Sequence, residues 1–142
     1  MRGMVAMLRS FLVFVLILSI LVAGCAGNQE AVTVRTGEVF TIGIGQSARI
    51  AGEDMVITFE EVIGDSRCPR EVVCVWAGVA ASRVRIIHLG TPSSLVLNQP
   101  GLSEDAQETF GDYTLTFNLN PYPRAGEEIP PDEYRLTLSI TR

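Results

Sequence analysis

The chain predicts an all-β domain, an antiparallel β-sandwich or partly open barrel of about seven or eight short strands, behind a cleaved signal peptide. Three observations predict it. Apolar residues in the body of the chain recur with period two, the spacing of strands with one buried face. Turn signals interrupt them about every eight to twelve residues, the rhythm of sandwiches and barrels. Helix signals are few.

The N-terminus sets the compartment. Arg2 and Arg9 supply a basic start, residues 11–22 an apolar stretch, and Ala23 and Gly24 the small residues that signal peptidases require. The apolar run is shorter than the roughly 18 to 20 residues needed to span a bilayer. Val22-Ala-Gly-Cys25 resembles the bacterial lipobox, whose cysteine carries diacylglycerol and then an acyl chain such as palmitate. The resemblance implies cleavage before Cys25 and anchoring to a lipid bilayer through acylated Cys25, on the periplasmic or exterior side of the cell envelope. Several acyl chains, at about 0.8 kcal/mol per buried CH₂, make such anchoring effectively permanent. An uncleaved anchor helix or an ordinary secretory signal shares the apolar run but does not require the cysteine. The expected organisation is a signal peptide (1–24), a lipid-anchored tether (25–37) and one β domain (38–142).

The 118 residues after the signal suffice for one domain and are too few for two. They carry nine arginines and sixteen carboxylates, net −7. So acidic a surface argues against nucleic acid or an anionic membrane surface as a partner. All eleven cations are arginine, which genome composition explains more simply than function does.

Residues 39–42 and 48–50 are short strand candidates, and Gly52-Glu-Asp-Met55 reads as a turn. In the next strand, residues 55–62, Met55, Ile57 and Phe59 share one face. A loop over residues 64–67 follows. Residues 72–89 are almost uniformly strand-prone, yet as one strand they would span about 60 Å. Gly78 or Ala80-Ala-Ser82 is the expected break. Before it both faces are apolar, which suggests a central strand containing Trp76. After it Arg83 and Arg85 alternate with Val84 and Ile86. Residues 90–94 read as a turn, 95–97 as a strand, 99–105 as a loop and 107–110 as a weak strand. Tyr113, Leu115, Phe117 and Leu119 form one amphipathic strand, and Tyr134, Leu136, Leu138 and Ile140 another. Residues 120–131 between them are too proline-rich for regular structure.

With Cys25 lipidated, Cys68 and Cys74 are an even pair in an oxidising compartment and read as a disulfide. Along one strand their Cα atoms would lie about 20 Å apart, whereas a disulfide needs roughly 4.4 to 6.8 Å. The chain must therefore fold back between them, with Pro69 and Arg70-Glu71 the place for it.

Asp65-Ser-Arg-Cys-Pro69, Val72, Cys74-Val-Trp76 and Gly78 resemble a signature of small exported bacterial lipoproteins, D-S-R-C-P-x₂-V-x-C-V-W-x-G. Pro121-Tyr-Pro123 and the closing Tyr134-x-Leu-x-Leu138 fit the same pattern. The resemblance covers roughly residues 46–142. It implies a cysteine-stapled secreted β domain and no particular activity.

Asp65, Ser66 and Arg67, beside a rigid cysteine-proline corner, are with Trp76 the candidate binding surface. A preorganised loop presents its groups at low entropic cost. The structural alternative, favoured for these residues individually, is an Asx-turn at Asp65 paired with Arg67 and a core Trp76. Pro121-Tyr-Pro123 is expected to cap an end of the sandwich.

His88 is the one histidine. A hydrolytic or metal site would have to draw on Asp65, Cys68, Cys74 and His88. The five-residue gap between the cysteines falls outside usual zinc spacing, and no nucleophile-elbow pattern surrounds a serine. Glu60 and Glu61, as strand neighbours, should face opposite ways and so cannot act as a glycosidase pair. The expectation is a non-catalytic envelope lipoprotein without cofactor or metal. It would act as a binding or interaction module for an unknown envelope or extracellular protein or ligand. The alternatives are a small metal-binding or hydrolytic domain and a purely structural envelope component.

Overall fold

The computed structural model describes residues 31–142. The expected signal peptide, Cys25 and the first part of the tether lie outside the described residues. Nine strands follow in order: β1 (Val32–Arg35), β2 (Phe40–Gly43), β3 (Ser47–Ala51), β4 (Met55–Asp65), β5 (Val79–His88), β6 (Thr91–Pro100), β7 (Ala106–Phe110), β8 (Tyr113–Asn120) and β9 (Arg135–Thr141). A single 3₁₀ turn, Pro131–Glu133, precedes β9. Among the described residues no helix is long and apolar enough to cross a membrane.

The strands form two sheets, ordered β1-β3-β4-β5-β6 and β2-β9-β8-β7, and the fold is the expected β-sandwich. Every paired neighbour is antiparallel except β1, which runs parallel to β3. The core lies between the sheets. Met55, Ile57 and Phe59 of β4, with Val84 and Ile86 of β5, meet Leu115, Phe117, Leu136, Leu138 and Ile140 of the other sheet. These are the faces the period-two pattern assigns, because burial of one face leaves only alternate positions apolar.

Four expectations need correction. Residues 32–35, assigned to the tether, are strand β1, whose Val34 is buried and which keeps register with β3 from Val32↔Ala48 to Arg35↔Ala51. Residues 72–77, assigned to a central strand, form no strand, and β5 starts only at Val79. The apolar side chains there are displayed rather than packed. Residues 90–94, assigned to a turn, mostly belong to β6; the reversal needs only Leu89 and Gly90, both with positive φ as a two-residue hairpin demands. Pro92 is tolerated because β6 is an edge strand.

Fourth, Glu60 and Glu61 do not face opposite ways. A register shift between Phe59 and Glu61 breaks the alternation, and both carboxylates pair with arginines of one outer face: Glu60 with Arg85 at 2.7 Å, and Glu61 with Arg83.

Candidate functional site

β4 and β5 run side by side the length of the sandwich, so one end holds Asp65 and Val79 and the other holds Met55 and His88. At the first end, residues 66–78 leave β4, reverse and return. Ser66 and Cys68 hold the return leg: the Ser66 amide donates to the Val79 carbonyl at 2.9 Å, and the Cys68 amide to that of Ala77 at 2.8 Å. The Ser66 hydroxyl also contacts the backbone of Val79. The reversal is closed by the Cys68–Cys74 disulfide, with Cα atoms 6.0 Å apart. Gly78, at φ +72°, is where the return leg passes Ser66; a Cβ there would lie 1.8 Å from the Ser66 carbonyl oxygen, so only glycine fits.

Beneath the reversal sits Arg67, 3% exposed. Its Nε donates to Asp65 Oδ1 at 2.9 Å and its Nη2 to Oδ2 at 2.6 Å, a bidentate pair. Nη1 reaches the Leu119 carbonyl at 2.7 Å, and Nη2 the Pro121 carbonyl at 3.0 Å. The Arg67 amide donates to Asp65 Oδ1, the expected Asx-type contact. Arg67 thus ties the end of β4 to the end of β8 in the opposite sheet. Tyr134 adds a fourth hydrogen bond to Asp65, donating its hydroxyl to Oδ2 at 3.3 Å. Burial and the Asp65 carboxylate together push the Tyr134 phenol up to about 12.

The proline-rich segment docks on the same end. Asn120–Pro121 is a cis peptide. Tyr122 lies between two guanidinium groups, with Arg67 Cζ 4.8 Å and Arg70 Cζ 4.9 Å from its ring centroid. Its hydroxyl donates to the Cys68 carbonyl at 2.9 Å and accepts the Leu102 amide at 2.9 Å. The capping role expected of Pro121-Tyr-Pro123 is thus carried chiefly by Tyr122. Gly101 abuts the staple loop so closely that a Cβ would meet the Ala77 carbonyl oxygen at 1.7 Å. Gln99, buried in β6, joins the sheets by accepting the Leu119 amide at 2.7 Å.

Outside this braced frame the loop displays apolar side chains. Trp76 is 82% exposed, and Val72, Val73, Val75 and Leu102 are exposed with it. Of the proposed contact residues, Trp76 alone is displayed in full. Asp65 and Arg67 are turned inward and satisfied by one another, so their role is to hold the tip. Ser66 is exposed, with its hydroxyl spent on Val79. The expectation that Trp76 is core fails: apolar composition identified the residue but not which way it faces. Gln99, Tyr134 and Leu102 were missed as contributors, and Tyr122 was expected only as part of the capping Pro121-Tyr-Pro123 segment. Gln99 carried a usable signal, since it continues the inward register of Leu95 and Leu97 where an apolar residue would be expected.

His88 lies at the far end of β5, nine residues and about 30 Å from Val79. The set Asp65, Cys68, Cys74 and His88 is therefore not brought together, and both sulfurs are spent on each other. His88 instead contacts Phe110 and Tyr113 edge-on, with centroids 6.2 and 5.5 Å away. Together they line an open cleft of about 660 Å³ with Glu53, Asp54, Asp112 and Arg142. The Tyr113 hydroxyl donates to Glu53 Oε2 at 2.5 Å, and this bond raises the phenol's pKa, with burial adding to it. Arg142 sits 3.6 Å from the same carboxylate. Among the described residues the cleft lining includes no serine or cysteine, and no three His, Cys, Asp or Glu side chains converge as metal ligands would.

No family model, curated protein or solved structure matches this chain. The class that fold and site define is therefore a β-sandwich with a disulfide-stapled, apolar-tipped end.

Proposed function

We propose that this chain is an envelope lipoprotein, cut before Cys25 and anchored by lipid, whose domain is a non-catalytic binding module. Its contact end is the stapled tip. One observation carries the reading: four exposed apolar side chains sit on a loop braced by a disulfide, a buried ion pair and Tyr122, with exposed Leu102 on the adjoining turn. Exposed apolar side chains gathered at one place mark interaction sites, and a loop already ordered loses little entropy on binding. The acidic net charge supports a partner other than nucleic acid.

The test is chemical. Mass spectrometry of the mature protein should find diacylglycerol and acyl mass on Cys25, and Cys25→Ser should move the protein from the membrane to the soluble fraction. An unmodified Cys25, with the chain still membrane-bound, would overturn the reading.

A further inference from the structure

We infer that the stapled tip seats in the headgroup region of the bilayer that Cys25 anchors to, so that the lipid holds the domain and the tip fixes which end faces the membrane. This deepens the proposed function and rests on lipidation of Cys25.

The chemistry of the tip fits that occupant. Trp76, Val73 and Val75 project with almost no packing of their own. Tryptophan is enriched at membrane interfaces, where its ring lies in apolar surroundings and its N–H in wet ones. Beside them a groove of about 550 Å³ is lined by Arg70, Arg124 and Tyr122, with Glu71 the one carboxylate among its lining residues. Arginine buries its stem at an interface while its guanidinium reaches phosphate oxygens. Both ends carry carboxylates, Glu127 and Glu128 beside Pro123 at the stapled end and Glu53, Asp54 and Asp112 against Arg142 at the far end, so the displayed tryptophan and valines rather than charge make the choice.

The tether makes the same choice. β1 runs parallel to β3, towards the end where β4 begins, so the chain preceding Val32 comes from the stapled side. Val32 is level with Ala48 and, across β3, with Ile57 and Ile86. From Ile86 to Ala80, at the stapled end of β5, is six residues, or about 20 Å. Cys25 lies seven residues before Val32, a reach of up to about 24 Å when extended. Seven residues are thus long enough to let an anchor at Cys25 come level with Asp65, beyond which the tip projects.

Trp76 is the chain's single tryptophan and reports on the tip alone. The full mature lipidated protein is reconstituted in phosphatidylcholine vesicles, with and without bromine on the acyl chains. Seated in the bilayer, Trp76 should emit at shorter wavelength than in Val73→Asp/Val75→Asp, lose most of its quenching by aqueous iodide, and be quenched by the brominated lipid. Those valines touch little, so the variant keeps its fold, which circular dichroism checks, and its lipid. Lipid on Cys25 with Trp76 still fully open to iodide overturns the tip and leaves the anchor standing. A shift on adding vesicles to the unlipidated Cys25→Ser protein supports the tip by itself, even if Cys25 proves to carry no lipid in the cell. Trp76 open to iodide on vesicles but crosslinking to a protein in native envelopes overturns the bilayer as its occupant.

Discussion

Arg67 holds Asp65 through two parallel hydrogen bonds while its remaining nitrogen reaches the Leu119 carbonyl, 52 residues away in the other sheet. The pair is nearly dry, with side-chain exposures of 0% for Arg67 and 6% for Asp65. A buried ion pair adds little net stability over an apolar substitute, but removing one partner strands the other charge. Arg67→Ala should therefore cost about 3 to 5 kcal/mol in denaturant unfolding. Arg67→Lys should recover only part of it, because an ammonium cannot make the planar fork and reach two carbonyls as well. A loss under 1 kcal/mol for Arg67→Ala would mean that the brace is not structural.

Two glycines carry the close approach of the staple loop to its neighbours. At Gly78 a methyl group meets the Ser66 carbonyl and also suffers the positive φ; at Gly101 it meets the Ala77 carbonyl. Both obstacles are backbone and cannot rotate away. Each alanine substitution should cost more than about 2 kcal/mol. Gly126→Ala, with positive φ but open space, should cost visibly less in the same unfolding assay.

Much of the sandwich was legible because one-sided burial writes itself as alternation. Met55, Ile57 and Phe59, and likewise Leu136, Leu138 and Ile140, announce both strand and buried face. β1 left no such trace, since Val34 is its one buried residue. The run from Val72 to Trp76 misled for the opposite reason: periodicity cannot separate an apolar segment packed on both sides from one displayed on both. The Asp65-Arg67 pairing was legible as a local contact. Its grip on Leu119 and Pro121 was not, because it depends on the ends of β4 and β8 meeting across the sandwich.

Trp76 separates those two readings by experiment. A packed tryptophan cut to alanine costs about 3 to 5 kcal/mol. At 82% exposure Trp76→Ala should change stability by no more than about 0.5 kcal/mol. Circular dichroism is the appropriate signal, since the variant lacks the fluorophore.

Tyr134 gives the domain an alkaline limit. Its phenol is pushed from 10.0 to about 12 by burial and by Asp65, so the folded state holds that proton more tightly than the unfolded chain. This stabilisation is complete below pH 10 and declines as pH rises towards 12. Tyr113 is raised too and acts in the same direction. The comparison is therefore with Tyr134→Phe, which should lose stability less steeply across that window. Parallel curves would show that Tyr134 does not titrate differently on folding.

The disulfide closes a short loop, so its removal should be mild and local. Chain-entropy reasoning gives about 2 kcal/mol for Cys68→Ser/Cys74→Ser. The sandwich core lies outside that loop and should survive, with Met55, Phe59 and Leu138 still packed. Fast hydrogen exchange should be confined to residues 68–77, whose few backbone bonds, such as Cys68 to Ala77, depend on the staple. Alkylation of the native protein without reductant should modify neither Cys68 nor Cys74. If both are modified in the folded state, the tip is held by Tyr122 and Arg67 alone, and exchange across residues 68–77 should already be fast in the wild type.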